Sequence, residues 1–68
     1  MDTNNEQIKK VWHVCAEMKS EGWGGGAPFE GILSRSKLKE SVVLDALRQL
    51  DYFVYTEKGT ILVDVSGA

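Results

Sequence analysis

The sequence predicts an α+β fold of three helices followed by a C-terminal β-hairpin. Three observations predict it. Ile8, Val11, Trp12, Cys15 and Met18 recur at helical spacing and form one apolar stripe. Val43, Ala46, Leu47 and Leu50 form a second stripe at i, i+3, i+4 and i+7. Two β-branched and aromatic arms, residues 53–56 and 60–65, flank a turn containing Gly59.

The first helix is placed at residues 5–21. Thr3, Asn4 or Asn5 can cap it, Glu6 suits the positive end of its dipole, and Gly22 ends it. Residues 22–27 are a loop, because four of the five positions from Gly22 to Gly26 are glycine. Pro28 suits the first position of a second helix over residues 28–36. Gly31 weakens that helix by about 1 kcal/mol relative to Ala, so it needs tertiary support.

A turn near residues 36–39 leads to the third helix, at 40–51, against which Ile32 and Leu38 should pack. The hairpin spans 53–65, with Glu57-Lys58-Gly59 as a three-residue loop and Gly59 at positive φ. Two strands alone are marginal, so one face must lie on the helices. Phe53 or Val54, with Ile61 and Val63, are the inward residues. A short extra strand near Ala27 can pair with the hairpin.

The second and third helices, joined by a short turn, have the layout of a helix-turn-helix, and the hairpin stands where a wing would. Gly24-Gly25-Gly26-Ala27-Pro28-Phe29-Glu30, Leu38, Val43-x-x-Ala46-Leu47-x-x-Leu50 and Gly59-Thr60-Ile61 carry a closer resemblance. Over residues 5–65 the chain resembles the C-terminal winged helix of archaeal minichromosome-maintenance replicative helicases. It is similar in layout to the C-terminal winged helix of the replication protein A middle subunit. The resemblance implies a winged helix-turn-helix in a DNA-replication machine. Some winged helices read DNA with the third helix. The two kinds named act largely as protein-docking or regulatory modules, and the fold does not choose between these roles.

Composition narrows the choice. At 68 residues, 43% of them hydrophobic and 26% charged, the chain is globular rather than disordered. It is too short for a nucleotide-binding fold plus a substrate site, and it cannot form a barrel or a doubly wound sheet. The net charge of −2 argues against a free-standing, non-specific DNA binder. Cys15 is the single cysteine and has no internal disulfide partner. With a polar start unlike a signal peptide, this points to an intracellular setting, in the cytoplasm or the nucleus or nucleoid. No apolar run approaches the roughly 20 residues that span a bilayer, so no membrane role is expected. Met1 fits either a native start or an excised domain.

Catalysis finds no support. His13 is a lone surface histidine, Cys15 lies on a core stripe, and Glu17 and Glu21 form an ordinary helical pair. No ligand set has metal spacing and no phosphate-loop lysine follows the glycines. Neither cofactor nor small-molecule substrate is expected.

Two interaction readings remain. For DNA, Ser41, Asp45, Arg48 and Gln49 occupy the outward face of the third helix. Arg48 could reach guanine or phosphate, and Gln49 adenine. Arg35, Lys37 and Lys39 near the turn and Lys58 at the hairpin tip could hold phosphates. Against this, Arg35, Lys37, Lys39 and Arg48 are nearly balanced by Glu40, Asp45 and Asp51, and Lys58 by Glu57 and Asp64. Binding by phosphate neutralisation needs uncompensated cations. For protein docking, Trp23, Val42, Leu44, Tyr52 and Tyr55 are the candidate contact residues. The favoured expectation is a non-catalytic docking module with a protein partner. The second is a small DNA-binding transcription regulator, and a homodimer through the exposed apolar residues is a third.

Overall fold

The computed structural model describes residues 3–68. Three helices pack together, and α1 and α2 lie against one face of a three-stranded antiparallel sheet. The elements are α1 (Asn5–Ser20), β1 (Ala27–Pro28), α2 (Phe29–Ser36), α3 (Glu40–Gln49), β2 (Val54–Glu57) and β3 (Thr60–Val63). The strand order is β1–β3–β2. Among the described residues, no helix is long and apolar enough to cross a membrane.

Asn4 caps α1 with a reciprocal pair. Its side chain accepts from the Gln7 backbone at 2.8 Å, and the Gln7 side chain accepts from the Asn4 backbone at 3.1 Å. The buried face carries Val11, Val14, Cys15 and Met18. Trp12 was expected on this stripe, but it is exposed and Val14 takes the place. Successive residues turn by about 100°, so Trp12 is rotated away from the Val11–Cys15–Met18 line, whereas Val14 falls close to its other side.

Both α1 and α3 end in the same way. The Gly22 N–H reaches the Lys19 carbonyl at 3.0 Å and the Trp23 N–H reaches Met18 at 3.1 Å. At the end of α3, Asp51 N–H reaches Arg48 and Tyr52 N–H reaches Leu47, each at 3.0 Å. These are Schellman motifs, which need a left-handed residue just past the cap. Gly22 supplies it at φ 98° and Asp51 at φ 62°. The third helix therefore stops at Gln49, short of the expected Asp51.

The loop expected at 22–27 contains a 3₁₀ turn over Gly24–Gly26, and Ala27 already belongs to β1. The short extra strand is present: Ala27 pairs with Val63 and Pro28 with Leu62. Pro28 is not the first helical residue but the N-cap of α2, with extended backbone at φ −67° and ψ 131°. The hairpin loop is shorter than expected. Glu57 pairs directly with Thr60, which leaves only Lys58 and Gly59, both at positive φ, as in a type I′ turn.

Val63, Val65 and Ala27 are fully buried with Val11, Cys15, Ile32, Val43, Ala46 and Leu47, and Val54 packs on this cluster. Phe53 is not inward. It precedes Val54 and therefore points to the opposite face, where it is 66% exposed. Ile61 shares the inward parity of Val63 but borders an open groove beside Phe29, Leu33 and Glu40, and it is 40% exposed.

The paired caps make opposite substitutions informative. An added Cβ at Gly22 meets no atom within 4 Å, so Gly22→Ala tests backbone strain alone. It should cost about 1 kcal/mol in urea unfolding. Asp51→Gly should gain about 0.5 kcal/mol, less because Asp tolerates the left-handed region and glycine loosens the unfolded chain.

Candidate interaction surfaces

The outward face of α3 holds Ser41, Leu44, Arg48 and Gln49, all exposed, with Asp45 half-buried among them. Asp45 is the centre of this face. Its Oδ1 accepts from Arg48 Nη2 at 2.7 Å and its Oδ2 from Gln49 Nε2 at 2.8 Å. The nearby Thr3 hydroxyl, buried and without a well-aligned hydrogen-bond partner, lowers the Asp45 pKa most. Arg48 and Gln49 add to this, and the carboxyl falls from 3.8 to about 2. Asp45 is thus firmly ionised, and both candidate base-reading side chains are bound to it.

Arg35 is also engaged. It grips Glu21 through both guanidinium nitrogens, at 2.7 and 2.9 Å, and reaches Glu17 at 2.7 Å. These bonds hold Glu21 below the usual carboxylate range and raise the arginine further. Arg35 therefore ties α2 to the end of α1 instead of standing ready for phosphate. Lys37 is the left-handed cap of α2, at φ 58°, Lys39 is the N-cap residue of α3, and Lys58 sits at the hairpin tip. All three are exposed.

Between α2 and α3, the buried Ser36 hydroxyl donates to the Leu33 carbonyl and accepts the Leu38 N–H, each at 3.3 Å. These bonds fix the three-residue turn from Lys37 to Lys39 and so set the angle at which α3 is presented.

The docking candidates divide. Trp23 and Leu44 are 46% and 42% exposed. Val42 is only 5% exposed, which removes it from the surface. It follows Ser41 toward the core side of the helix, whereas Leu44 turns away. Tyr52 is half-buried and packs on the core. Tyr55 lies on the outer sheet face. Its hydroxyl reaches across β3 and donates to the Gly25 carbonyl at 2.6 Å. Phe53 stacks on Tyr55 with ring centroids 5.4 Å apart and an interplanar angle of 19°. Phe53 was missing from the candidate contact residues. Its two-residue spacing from Tyr55 was the available signal.

Elsewhere, Trp12 and His13 meet edge to face on the exposed side of α1. Burial pushes the Cys15 thiol up to about 11, so it is protonated at neutral pH. Among the described residues, no three His, Cys, Asp or Glu side chains converge as metal ligands would.

No protein-family model matches the chain, and no curated protein or solved structure is significantly similar to it.

Asp45 provides a pH test. Its depressed folded-state pKa gives a stabilising contribution that is complete above the ordinary value of 3.8 and is lost as pH falls toward about 2. A carboxyl-detected NMR titration should place its midpoint near about 2, and Arg48→Ala should move that midpoint upward.

Proposed function

We propose that this chain is a winged-helix domain that works as a non-catalytic docking module of a DNA-replication or related nucleic-acid machine. Four features support the fold reading: the short fixed turn between α2 and α3, the exposed face of α3, the following hairpin, and the strand before α2 that pairs with it. The link to replication comes from the resemblance carried by the glycine-rich segment, the α3 stripe and Gly59-Thr60-Ile61.

One observation carries the choice of docking over DNA reading: Asp45 holds both Arg48 and Gln49 in the middle of the α3 face. A duplex approaching this face meets an ionised carboxylate where phosphates and bases would lie, and it must displace two hydrogen bonds to recruit either side chain. Meanwhile Trp23, Leu44 and Phe53 remain exposed, and aromatic and aliphatic side chains of this kind anchor protein interfaces. The second reading, direct DNA binding as a small transcription regulator, retains the exposed Lys37, Lys39 and Lys58.

Titration of ¹⁵N-labelled protein with a generic duplex at low and moderate salt decides between them. Docking predicts no salt-sensitive shifts at Arg48, Gln49 or Lys58. Shifts there that weaken steeply with salt would replace it with the DNA reading. Asp45→Asn should then strengthen duplex binding by about threefold or more, because it removes one repelling charge and frees Arg48.

A further inference from the structure

The strand order β1–β3–β2 leaves the outer side of β2 without a neighbouring strand. Backbone groups along a strand alternate between its two sides. Asp64 N–H donates to the Phe53 carbonyl at 2.8 Å, so Phe53, Tyr55 and Glu57 direct their backbone groups toward β3. The N–H and C=O of Val54 and Thr56 therefore point outward. They have no hydrogen-bond partner among the described residues.

This edge is unguarded. Exposed edges are commonly protected by charge, proline or a bulge. Residues 52–56 read Tyr-Phe-Val-Tyr-Thr, without charge, proline or glycine, and each favours a strand. β2 pairs with β3 in continuous register, so it carries no bulge. Charge lies only at the ends, with Asp51 before the segment and Glu57 and Lys58 after it. Neither Asp51 nor Lys58 forms an ion pair among the described residues.

The edge is also complementary to itself. Two copies set antiparallel, with Tyr55 opposite Tyr55, place Val54 of each opposite Thr56 of the other. This register joins every outward group in four hydrogen bonds. Sliding by two residues pairs Thr56 with Tyr52, whose N–H is already bonded to Leu47, or Val54 with Lys58, which is left-handed in the turn. The two Tyr55 residues meet at a non-hydrogen-bonded position, where cross-strand side chains are closest and an aromatic pair is stabilising. Lys58 of each copy comes beside residues 51–52 of the other, so its ammonium meets Asp51. Within one chain these two residues stand at opposite ends of β2.

We infer that two copies of this chain pair through their β2 edges, about a twofold axis at Tyr55, into one six-stranded antiparallel sheet. The register that satisfies every outward backbone group also brings opposite charges together, and this selects a second copy as the occupant of the edge. The interface is narrow, which places the dimer in the weak, reversible class. The pairing is independent of the docking reading, whose test with duplex DNA reads Arg48 and Gln49.

The test is a concentration series of ¹⁵N-labelled full chain from about 20 µM to about 2 mM, the range of weak association, with sedimentation velocity at each step. The Val54 and Thr56 amides should shift downfield together as the sedimenting species moves from monomer toward dimer. Thr56→Pro should abolish dimerisation throughout the range. It removes two of the four donors between copies and breaks no β2–β3 bond, because the Thr56 N–H faces outward. Lys58→Asp should weaken the dimer by about fivefold, the scale of two exposed ion pairs. Adding Asp51→Lys should restore the affinity to within about twofold, which only contact between copies can do. Lys37 and Lys58 already hold the left-handed backbone that position 51 requires.

A chain that stays monomeric at about 2 mM would overturn the inference. So would a dimer indifferent to both Thr56→Pro and Lys58→Asp, or concentration-dependent shifts confined to Trp12 or to the groove at Ile61. If Thr56→Pro lacks a dispersed spectrum, the charge exchange between positions 51 and 58 decides alone.

Discussion

Ala27, Val63 and Val54 form one row across the sheet, and the architecture depends on that row. Val63 is paired on both sides, with Ala27 and Val54, and its side chain is fully buried among the helices. A hairpin of this size is marginal alone. The row gives it a third strand and an apolar face at the same position. Because β1 runs directly into α2, the pairing also anchors the start of the helical pair. Movement of this row would shift the presentation of α3, since α2 sets its angle through the Ser36 turn.

Much of this was legible in the sequence. The α3 stripe at Val43, Ala46 and Leu47 is the buried face, and Gly22 ends α1 as its position suggests. The errors have physical reasons. On α1, Trp12 and Val14 flank the same core line, and the i, i+4 spacing from Ile8 favoured Trp12. Packing chose the one on the nearer side. At Pro28, a preference for the first turn of a helix competed with extended backbone at a strand position. The strand prevailed because Pro28 needs no N–H opposite Leu62, while Ala27 supplies the bonded partner of Val63. At the hairpin tip, Gly59 invited a three-residue loop. The observed loop also places Lys58 at positive φ, a conformation its side chain does not advertise.

The site was less legible because it depends on how charges pair. Asp45, Arg48 and Gln49 are spaced i, i+3 and i+4, so their association is a helix-local feature. Counting them as independent contributors to a DNA face gave the right total charge but missed that they neutralise one another in place. The Arg35 contacts with Glu17 and Glu21 span two helices and could not be read from spacing. Phe53 was legible by parity, since Val54 points inward, but its stacking on Tyr55 required the fold.

These pairings divide the ionic surface unevenly. Both arginines are bound by carboxylates, and the carboxylates at the starts of α2 and α3 are left without a basic partner among the described residues. Acidic residues in a first turn favourably meet the helix dipole, which accounts for Glu30 and Glu40 individually. It does not account for their sharing one concavity with Ile61. That coincidence follows from the early end of β1. The chain leaves the sheet at Phe29 to begin α2, which brings Glu30 beside the hairpin end of β3. The same turn that joins the hairpin to the helices thus lines the hairpin end of the sheet with negative charge.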